Sequence, residues 1–357
     1  MPISPPPTYS AAQRASAYRL LSRCLQSDTF TLPTPRMAEA MANAICGDDV
    51  YGMDEPTATL QREVARLAGK EAALFMPTGT MSNQLALLLH VREHPASVLC
   101  DKRAHVLRHE TGAISFLSRA TPIAVQPANG HHLTLKDVSD NILLDCDVYT
   151  PTTRVVSLEN TLDGMIMPQN EILHIAELVR KHSVALHLDG ARLWNASAAT
   201  GKSIAELSAP FDSVSLCLSK GLGAPIGSIL VGSREFIDKA LIFRKMLGAG
   251  MRQTGVLASA AHVAIYDTFP QLARTHALAR RTADLLSQRG VTITVPVETN
   301  AVFVDVSSAG IDPDEFCARA VSREVPIAMS YPRMLFHHQV DDAVPDELAQ
   351  LVDQLRN

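Results

Sequence analysis

The sequence predicts an α/β fold with a largely parallel sheet. Three short runs rich in β-branched residues alternate with segments of helical periodicity, which is typical of parallel strands joined by crossover helices. These runs are residues 154–160, 184–190 and 213–221. The apolar residues of segment 169–182 repeat at the spacing of one helical face, so this segment is predicted to be the crossover helix between the first two strands.

Length and composition bound the possible functions. The chain has 357 residues, of which 46% are hydrophobic, which is enough for a large core and for more than one typical domain. Its net charge of −5 leaves no basic stripe, so neither nucleic acid nor a membrane is an expected partner. No apolar run reaches the roughly 18 to 20 residues that span a bilayer. Six singly spaced cysteines indicate reduced thiols, and a cytoplasmic location is the expectation.

The N-terminal stretch 5–26 has three arginines and no acidic residue, and we predict a short amphipathic helix there. Such a helix is typical of an organelle presequence, but it also suits an arm that packs on the body of the protein or on a neighbour. The arm is favoured because the functional motifs begin immediately afterwards, at Ser27.

Polar or charged residues follow each predicted strand. Ligands of open α/β sheets bind outside the carboxyl ends of the strands, so these residues are expected to converge on one crevice. They are Glu159, Asn160, Asp189, Arg192, Ser219 and Lys220.

A fourth segment, 72–90, joins an apolar run to a helix through Thr78, Gly79 and Thr80. Free N–H groups and hydroxyls at a helix N-terminus form an anion site, most naturally for a phosphate. Lys220, at the mouth of the crevice, can act as an amine nucleophile toward a carbonyl. With Asp189 as a partner for a ring nitrogen, this combination predicts pyridoxal 5'-phosphate (PLP) as the cofactor.

Eight motifs occur in a fixed order over most of the chain. They are "SDTFTLPT", "GDDVYG", "GKEAALFMPTGTMSNQ", "RAHVLRHE", "SLENTLDG", "LHLDGARLWNA", "SLCLSKGLGAPIGS" and "FRKMLGAGMRQTG". In these motifs, from about Ser27 to the C-terminus, the chain resembles the PLP-dependent threonine aldolases of fold type I, the aspartate-aminotransferase-like fold. The resemblance is strongest to the fungal branch, which includes members that look like alanine racemases.

The resemblance implies catalytic roles for three residues. Lys220 would bind PLP through an imine, and Asp189 would keep the pyridine nitrogen protonated, so that the ring accepts electrons from a carbanion at Cα. His105 would stack on the ring and could also act as an acid or base.

The remaining implied residues bind the cofactor or the substrate. A pair of arginines suits a substrate carboxylate, because guanidinium groups bind carboxylates in a bidentate manner. The phosphate would be bound by Thr78, Gly79 and Thr80 and by Arg252 of a neighbouring subunit. The substrate carboxylate would be bound by Ser27, Arg192 and Arg333. Arg192 would also lie beside the cofactor.

The resemblance also implies the domain organisation. An N-terminal arm would cover residues 1–27, a large PLP-binding domain 28–270 and a small C-terminal α/β domain 271–357. Segment 277–293 has the pattern of an amphipathic helix leading to a strand, as expected where the small domain begins. Because Arg252 would act across a subunit interface, we expect a homo-oligomer, at least a dimer and more plausibly a dimer of dimers.

One departure from the family pattern bears on the reaction. Threonine aldolases often have a histidine after the "ENT" triplet, thought to contact the substrate's β-hydroxyl, whereas this chain has Leu162 and Asp163. Retro-aldol cleavage needs a base for the β-hydroxyl proton, and His105 is the remaining candidate. Racemisation instead needs a proton donor or acceptor on each face of Cα. Lys220 would serve one face, and a histidine, Asp163 or a water the other.

We therefore expect a threonine or allo-threonine aldolase that forms glycine and acetaldehyde. The principal alternative is an alanine racemase, like the fungal members that supply D-alanine for peptide natural products. Two further alternatives are another PLP-dependent lyase and a PLP-fold protein that binds without turnover.

No metal site is expected. Two histidine pairs hint at one, but adjacent residues of a strand face opposite sides. Glu110 beside His109 is a weaker hint still. The pairs are His131 with His132 and His337 with His338. The two aspartates of "GDDVYG" are expected to shape a loop near the site rather than to act as acid and base.

Overall fold

The computed structural model describes residues 8–145, 147–328 and 333–356. Over these ranges the strands form a seven-stranded sheet of order β1-β7-β6-β5-β4-β2-β3 and a three-stranded sheet of order β10-β9-β8. Cys146 lies outside the described residues. The strands are β1 Ala72–Met76, β2 Ala96–Asp101, β3 Thr121–Val125, β4 Thr152–Glu159, β5 Ala185–Asp189, β6 Ser213–Cys217, β7 Ser228–Gly232, β8 Thr292–Ile293, β9 Ala301–Asp305 and β10 Arg333–Leu335.

Helices cover the large sheet and build most of the remaining structure. The α-helices are α1 Ala11–Leu21, α2 Pro35–Ala42, α3 Glu55–Ala68, α4 Gly79–His90, α5 His105–Arg108, α6 Ala113–Leu117, α7 Leu135–Asn141, α8 Gln169–Lys181, α9 Leu193–Thr200, α10 Ile204–Ser208, α11 Arg234–Met246, α12 Gly255–Val263, α13 Leu272–Ser287, α14 Pro313–Ser322 and α15 Val344–Leu355. Short 3-10 turns lie at Asp49–Tyr51, Phe269–Gln271 and Val306–Ala309, and a π turn at Ala264–Thr268.

The predicted α/β fold with a mostly parallel sheet is confirmed. The three predicted runs are the parallel strands β4, β5 and β6, and α8 is the crossover helix. The strand β7 is the exception, because it runs antiparallel to both β1 and β6. Strands β1, β5 and β6 are buried almost throughout, as expected for a sheet covered on both faces.

The C-terminal unit has a hydrophobic core of its own, built from α13 to α15 and the small sheet. The predicted helix and strand in 277–293 are confirmed as α13 and β8. Part of the N-terminal stretch packs on this unit, since Leu25 is fully buried in its core and exchanges backbone hydrogen bonds with Pro326 and Leu335. The domain boundaries drawn from the sequence stay a prediction.

The N-terminal helix differs from the expectation. Helix α1 forms, with Ser10 and Gln13 building a capping box at its start. Its apolar and polar residues do not separate onto two faces and none of its residues is buried, so the expected amphipathic character is wrong. None of the helices in the described ranges is both long and apolar enough to cross a membrane.

Candidate active site

The carboxyl ends of the strands border one cavity, as the sequence predicted. Its volume is about 240 Å³. Of the residues predicted to lie at the crevice, Glu159, Asn160 and Arg192 are not part of its lining. The predicted residues that line it are Thr78, Gly79, Thr80, His105, Asp189, Ser219 and Lys220, and Asn83 and Cys217 join them. Arg192, three residues beyond Asp189, is the N-cap of helix α9. Glu159 ends β4 directly opposite Asp189, its partner in the ladder.

Lys220 is placed by the loop between β6 and β7. The fully buried strand β6 carries the chain to the cavity, and Lys220 follows its last residue by three positions. The Lys220 carbonyl accepts a hydrogen bond from the N–H of Gly223 at 2.7 Å, which closes a tight turn around the lysine. Gly223 has a φ of +77°, in the region that favours glycine. The half-buried side chain of Lys220 lines the cavity.

The predicted phosphate site is the N-terminus of α4. The Thr78 hydroxyl accepts a hydrogen bond from the N–H of Met81 at 3.1 Å and so caps the helix. The N–H groups of Gly79 and Thr80 stand in the first turn, where a helix offers no acceptor of its own. A Cβ on Gly79 would lie 2.7 Å from the Cys217 Sγ, so only glycine brings the backbone this close. The turn therefore forms a narrow anion cradle.

Asp189 is almost fully buried and is held at both oxygens. Its Oδ1 accepts from the N–H of Ala191 at 3.0 Å, and its Oδ2 accepts from the Asn83 amide at 2.7 Å. A carboxylate can accept about four hydrogen bonds, so Asp189 keeps capacity for a group in the cavity that it lines.

His105 is held by two glutamates. Its backbone N–H donates to Glu159 Oε2 at 2.8 Å, and its Nδ1 lies 2.7 Å from Glu110 Oε1. Glu110 also accepts hydrogen bonds from Asn83 and Gln84, at 3.0 and 2.5 Å. Burial, and next the charge of Asp189, raise the pKa of Glu159 to about 8, so this carboxyl is protonated at neutral pH. The geometry leaves the Nε2 edge of His105 for the cavity.

The three residues predicted to bind the substrate carboxylate gather around segment 26–28. Arg192 donates from Nε and Nη2 to Asp28 at 2.8 and 2.7 Å, a bidentate ion pair that the sequence did not predict. Arg333 donates to the Gln26 carbonyl at 3.3 Å, and Ser27 lies between Gln26 and Asp28. Burial, and then the charge of Arg192, lower the pKa of Arg333, which fits two guanidinium groups facing a common space.

Arg252 lies apart from these residues within its own chain. Its guanidinium, half exposed, pairs with Asp48 at 2.9 Å, and its carbonyl accepts from the N–H of Asp49. Asp49 in turn pairs with the buried Arg244 at 2.6 Å. The two aspartates of "GDDVYG" thus shape a loop, as the sequence suggested. A role of Arg252 in a neighbouring subunit's site stays a proposal.

One cluster of side chains has the composition of a metal site. Among the described residues, His105, Glu110 and Asp189 offer ligand atoms within 4.8 Å of one another. Amide N–H groups point at both carboxylates, so we interpret this cluster as a hydrogen-bonded group.

In the altered turn, Leu162 is 7% exposed, and Asp163 lies 3.6 Å from Arg103.

Sequence reasoning missed Asp28 and Asn83 as site residues. Asn83 stands four residues after Gly79, on the same helix face, and this spacing could have placed it beside the phosphate turn. Asp28 had no comparable signal, because its partner Arg192 lies 164 residues away.

The cavity residues fit PLP. They offer an amine for its aldehyde, a buried carboxylate for its ring nitrogen and a helix N-terminus for its phosphate. Gly79 lets the N-terminus of α4 pack closely against Cys217, and this brings the free N–H groups of its first turn to the cavity.

Comparisons with known proteins agree with this geometry. Residues 25–309 match the family described as beta-eliminating lyase. A low-specificity L-threonine aldolase of Candida albicans is 48% identical over 292 residues, covering 81% of this chain and 78% of its own. The alanine racemase TOXG of Cochliobolus carbonum is 35% identical over 329 residues, covering 90% and 84%. The structure of Leishmania major threonine aldolase superposes with a TM-score of 0.79 at 20% identity, covering 94% and 99%.

Fold and site together define the class, that of PLP fold type I enzymes. The chain belongs to the beta-eliminating lyase family, and several fungal relatives at 41 to 48% identity are low-specificity L-threonine aldolases.

Proposed function

We propose that this protein is a PLP-dependent enzyme that cleaves threonine and allo-threonine to glycine and acetaldehyde. The observation that carries the proposal is the meeting of Lys220, Asp189 and the Gly79 turn at one cavity. These three features match the aldehyde, the ring nitrogen and the phosphate of one cofactor. Named relatives at 41 to 48% identity support the choice of reaction.

Bound PLP supplies an electron sink for the electron pair left at Cα when a bond to that carbon breaks. The protein's own residues determine which bond breaks. Lys220 holds the cofactor, and the buried negative charge of Asp189 keeps a proton on the ring nitrogen. The N–H groups of Gly79 and Thr80 bind the phosphate, where the helix N-terminus favours negative charge.

The residues around segment 26–28 orient the substrate. Asp28 holds Arg192 by two hydrogen bonds, which leaves Nη1 of Arg192 for another carboxylate. With Arg333 and Ser27 this edge would bind the substrate carboxylate and hold the amino acid in one orientation. That orientation would determine which bond to Cα is cleaved.

His105 takes the β-hydroxyl proton. Glu110 Oε1 lies 2.7 Å from its Nδ1, so in the neutral ring Nδ1 carries the hydrogen and Nε2 the lone pair. A lone pair directed toward the cavity is what a base for the hydroxyl requires. The proton leaves the β-oxygen as the Cα–Cβ bond breaks, which releases acetaldehyde.

A second function, alanine racemisation, is favoured by one observation. Leu162, in the turn where threonine aldolases often have a histidine, is an almost fully buried apolar side chain that offers nothing to a β-hydroxyl. Alanine has no hydroxyl, so this position does not impair its binding. A relative 35% identical is named an alanine racemase. Lys220 would serve one face of Cα, and His105, Asp163 or a water the other.

Product analysis decides between these functions. The purified protein with PLP is incubated separately with L-threonine, L-allo-threonine and L-alanine, and the products are separated on a chiral column. We expect glycine and acetaldehyde from the first two and no change in L-alanine. D-alanine as the main product would establish the racemase. No product and no spectral change with any amino acid would indicate binding without turnover.

A variant of the altered turn refines this test. Leu162→His restores an imidazole at the position, whereas Leu162→Asn adds polarity without a base. If the turn limits cleavage, the histidine variant raises the ratio of cleavage to racemisation and the asparagine variant does not. Equal ratios in both variants would exclude this turn as the determinant.

The cofactor cavity is also proposed to be completed in a homo-oligomer, with Arg252 reaching the phosphate of a neighbouring subunit. A cytoplasmic location stays a prediction.

A further inference from the structure

A chain of buried hydrogen bonds runs through the protein to Asp189. His90 Nε2 lies 2.8 Å from Ser213 Oγ, which lies 2.8 Å from His187 Nδ1. His187 Nε2 lies 3.1 Å from Asn83 Oδ1, and Asn83 Nδ2 lies 2.7 Å from Asp189 Oδ2. Except for His90, which is half-buried, each member is at most 2% exposed.

The surroundings fix the direction of every hydrogen bond in this chain. Asn83 faces carboxylate oxygens of both Asp189 and Glu110, so its Nδ2, with two hydrogens, must point at them. A flipped amide would place Oδ1 against two carboxylates. Asn83 Oδ1 therefore faces His187 and can only accept, which requires the hydrogen of His187 to lie on Nε2.

The remaining bonds follow from the neutral state of His187. Burial, and next the charge of His90, lower the pKa of His187 to about 3, so its Nδ1 carries a lone pair. The Ser213 hydroxyl donates to that nitrogen and accepts from His90 Nε2. All the donors point the same way, toward Asp189, and hydrogen bonds aligned in this manner polarise one another.

Asn83 also reaches the second residue predicted to contact the cofactor. Its other Nδ2 hydrogen binds Glu110 Oε1, the same oxygen that accepts from His105 Nδ1. One buried amide thus orients both Asp189 and the Glu110–His105 pair. His187 does not line the cavity but binds the oxygen of that amide and so holds its far side in place.

We propose that His187, as the Nε2–H tautomer, is a positioning residue that acts through Asn83 on Asp189 and His105. The inference rests on the proposed function only in that Asp189 and His105 are taken to face the cofactor. Without the donor on His187, Asn83 Oδ1 is an almost fully buried acceptor without its partner, and the amide is held in place from its Nδ2 side alone.

The tautomer is tested directly by nitrogen NMR of the full-length protein labelled at its histidine nitrogens, with and without PLP. We expect His187 to carry its hydrogen on Nε2 and to stay neutral between pH 5.5 and 8 in both samples. A hydrogen on Nδ1, or a doubly protonated ring at neutral pH, would overturn the assigned direction of the chain. This readout does not depend on turnover.

Variants test the positioning role. His187→Leu removes the donor, whereas His187→Gln places an amide N–H near the position of Nε2. We expect the leucine variant to bind PLP about tenfold more weakly or worse and to move the pH midpoint of the bound cofactor's absorbance. The glutamine variant should stay within about threefold of the wild type. If both variants bind PLP equally well, with the wild-type midpoint, the proposal is wrong.

The matched control is His276→Leu. His276 is also buried and bonds to an asparagine, Asn195, at 3.0 Å, but it lies outside the chain to Asp189. We expect this variant to lose stability and to keep its PLP affinity. An equal loss of affinity in His276→Leu would attribute the effect to general destabilisation and overturn the proposal.

These outcomes separate the inference from the proposed function. If PLP binds Lys220 and threonine is cleaved while His187→Leu behaves as wild type, the function stands and the inference fails. If the wild type binds no PLP, the proposed function fails and so does positioning, because there is no cofactor to position, although the NMR result still tests the tautomer.

Discussion

Asp28 and Arg192 form a bidentate ion pair between segment 26–28 and the end of the central sheet, with N–O distances of 2.8 and 2.7 Å. Asp28 is fully buried and also accepts from the amide of Asn300. Segment 26–28, the large sheet and the C-terminal unit therefore meet at one carboxylate. The proposed substrate clamp depends on this contact.

Asp28→Asn is expected to lower the free energy of unfolding by about 3 to 5 kcal/mol at pH 7, because it leaves the buried charge of Arg192 without its partner. It should also raise KM for the amino acid more than it lowers kcat. Urea unfolding and steady-state kinetics measure the two effects. A loss of stability under about 1 kcal/mol would mean that the pair is exposed to water.

The same pair predicts a pH dependence. Burial raises the pKa of Asp28, but the charge and hydrogen bonds of Arg192, the charge of Lys220 and the Asn300 amide together outweigh it and lower the pKa from 3.8 to about 2. The pair's contribution, about 2 kcal/mol, is complete above pH 3.8 and is lost as the pH falls through about 2. The stability gap between wild type and Asp28→Asn should therefore narrow over this range. A constant gap would contradict the assignment.

The ionisation of Glu159 predicts a change of stability with pH in the opposite direction: the free energy of unfolding decreases as the pH rises. Its pKa is raised from 4.5 to about 8, so in the cofactor-free protein the folded chain holds a proton that the unfolded chain has lost. The free energy of unfolding should fall as the pH rises from about 5 to about 8. Glu159→Gln keeps an acceptor for the His105 N–H and should flatten this slope. Denaturant unfolding across the pH range measures it, and an unchanged slope would mean that Glu159 is ionised.

The phosphate cradle is tested at Gly79. A Cβ there would meet the Cys217 Sγ at 2.7 Å, so Gly79→Ala should weaken PLP binding by about 1 to 3 kcal/mol, roughly 5- to 150-fold. Removing the sulfur makes room, and the double variant with Cys217→Ala should recover most of the affinity. Cys217→Ala alone is the control. If the double variant binds PLP as weakly as Gly79→Ala, contact with the Cys217 sulfur is not the cause of the lost affinity.

Arg252 is tested by mixing two inactive variants. Consider a hybrid dimer with one Lys220→Ala subunit and one Arg252→Ala subunit. If Arg252 serves the neighbouring subunit's site, one site of this dimer has both changes and the other has neither. About a quarter of the sites in an equal mixture are then intact. Asp48→Ala removes the same ion pair but keeps the arginine, and should stay active. A mixture that remains inactive after subunit exchange would place Arg252 in its own chain's site.

The sequence predicted the parts of the fold that rest on local pattern. The strands β4 to β6, the crossover helix α8 and the turn at Gly79 follow from alternation, helical periodicity and N-capping, and all are present. The convergence of Asp189 and Lys220 followed from the geometry of parallel strands. Parallel strands can be connected in only a few ways, so the edge of the sheet at which their carboxyl ends meet can be predicted from the sequence.

The contacts that were missed join residues far apart in the chain. Asp28 and Arg192 are 164 residues apart, and Asn83 and His187 are 104 residues apart. No local pattern specifies such a pair, since periodicity and capping describe the element in which each partner lies and not the distant side chain that it meets. The apolar residues of α1 were predicted to form one face, but among the described residues of the arm the buried ones, Cys24 and Leu25, lie beyond the helix.

The proposed function depends most on Lys220 as the residue that binds PLP. The direct measurement is to reduce the PLP-loaded protein with borohydride, digest it and map the modified peptide by mass spectrometry. We expect a phosphopyridoxyl group on Lys220 and none in Lys220→Ala. The label on another lysine, or its persistence in the Lys220→Ala protein, would contradict it.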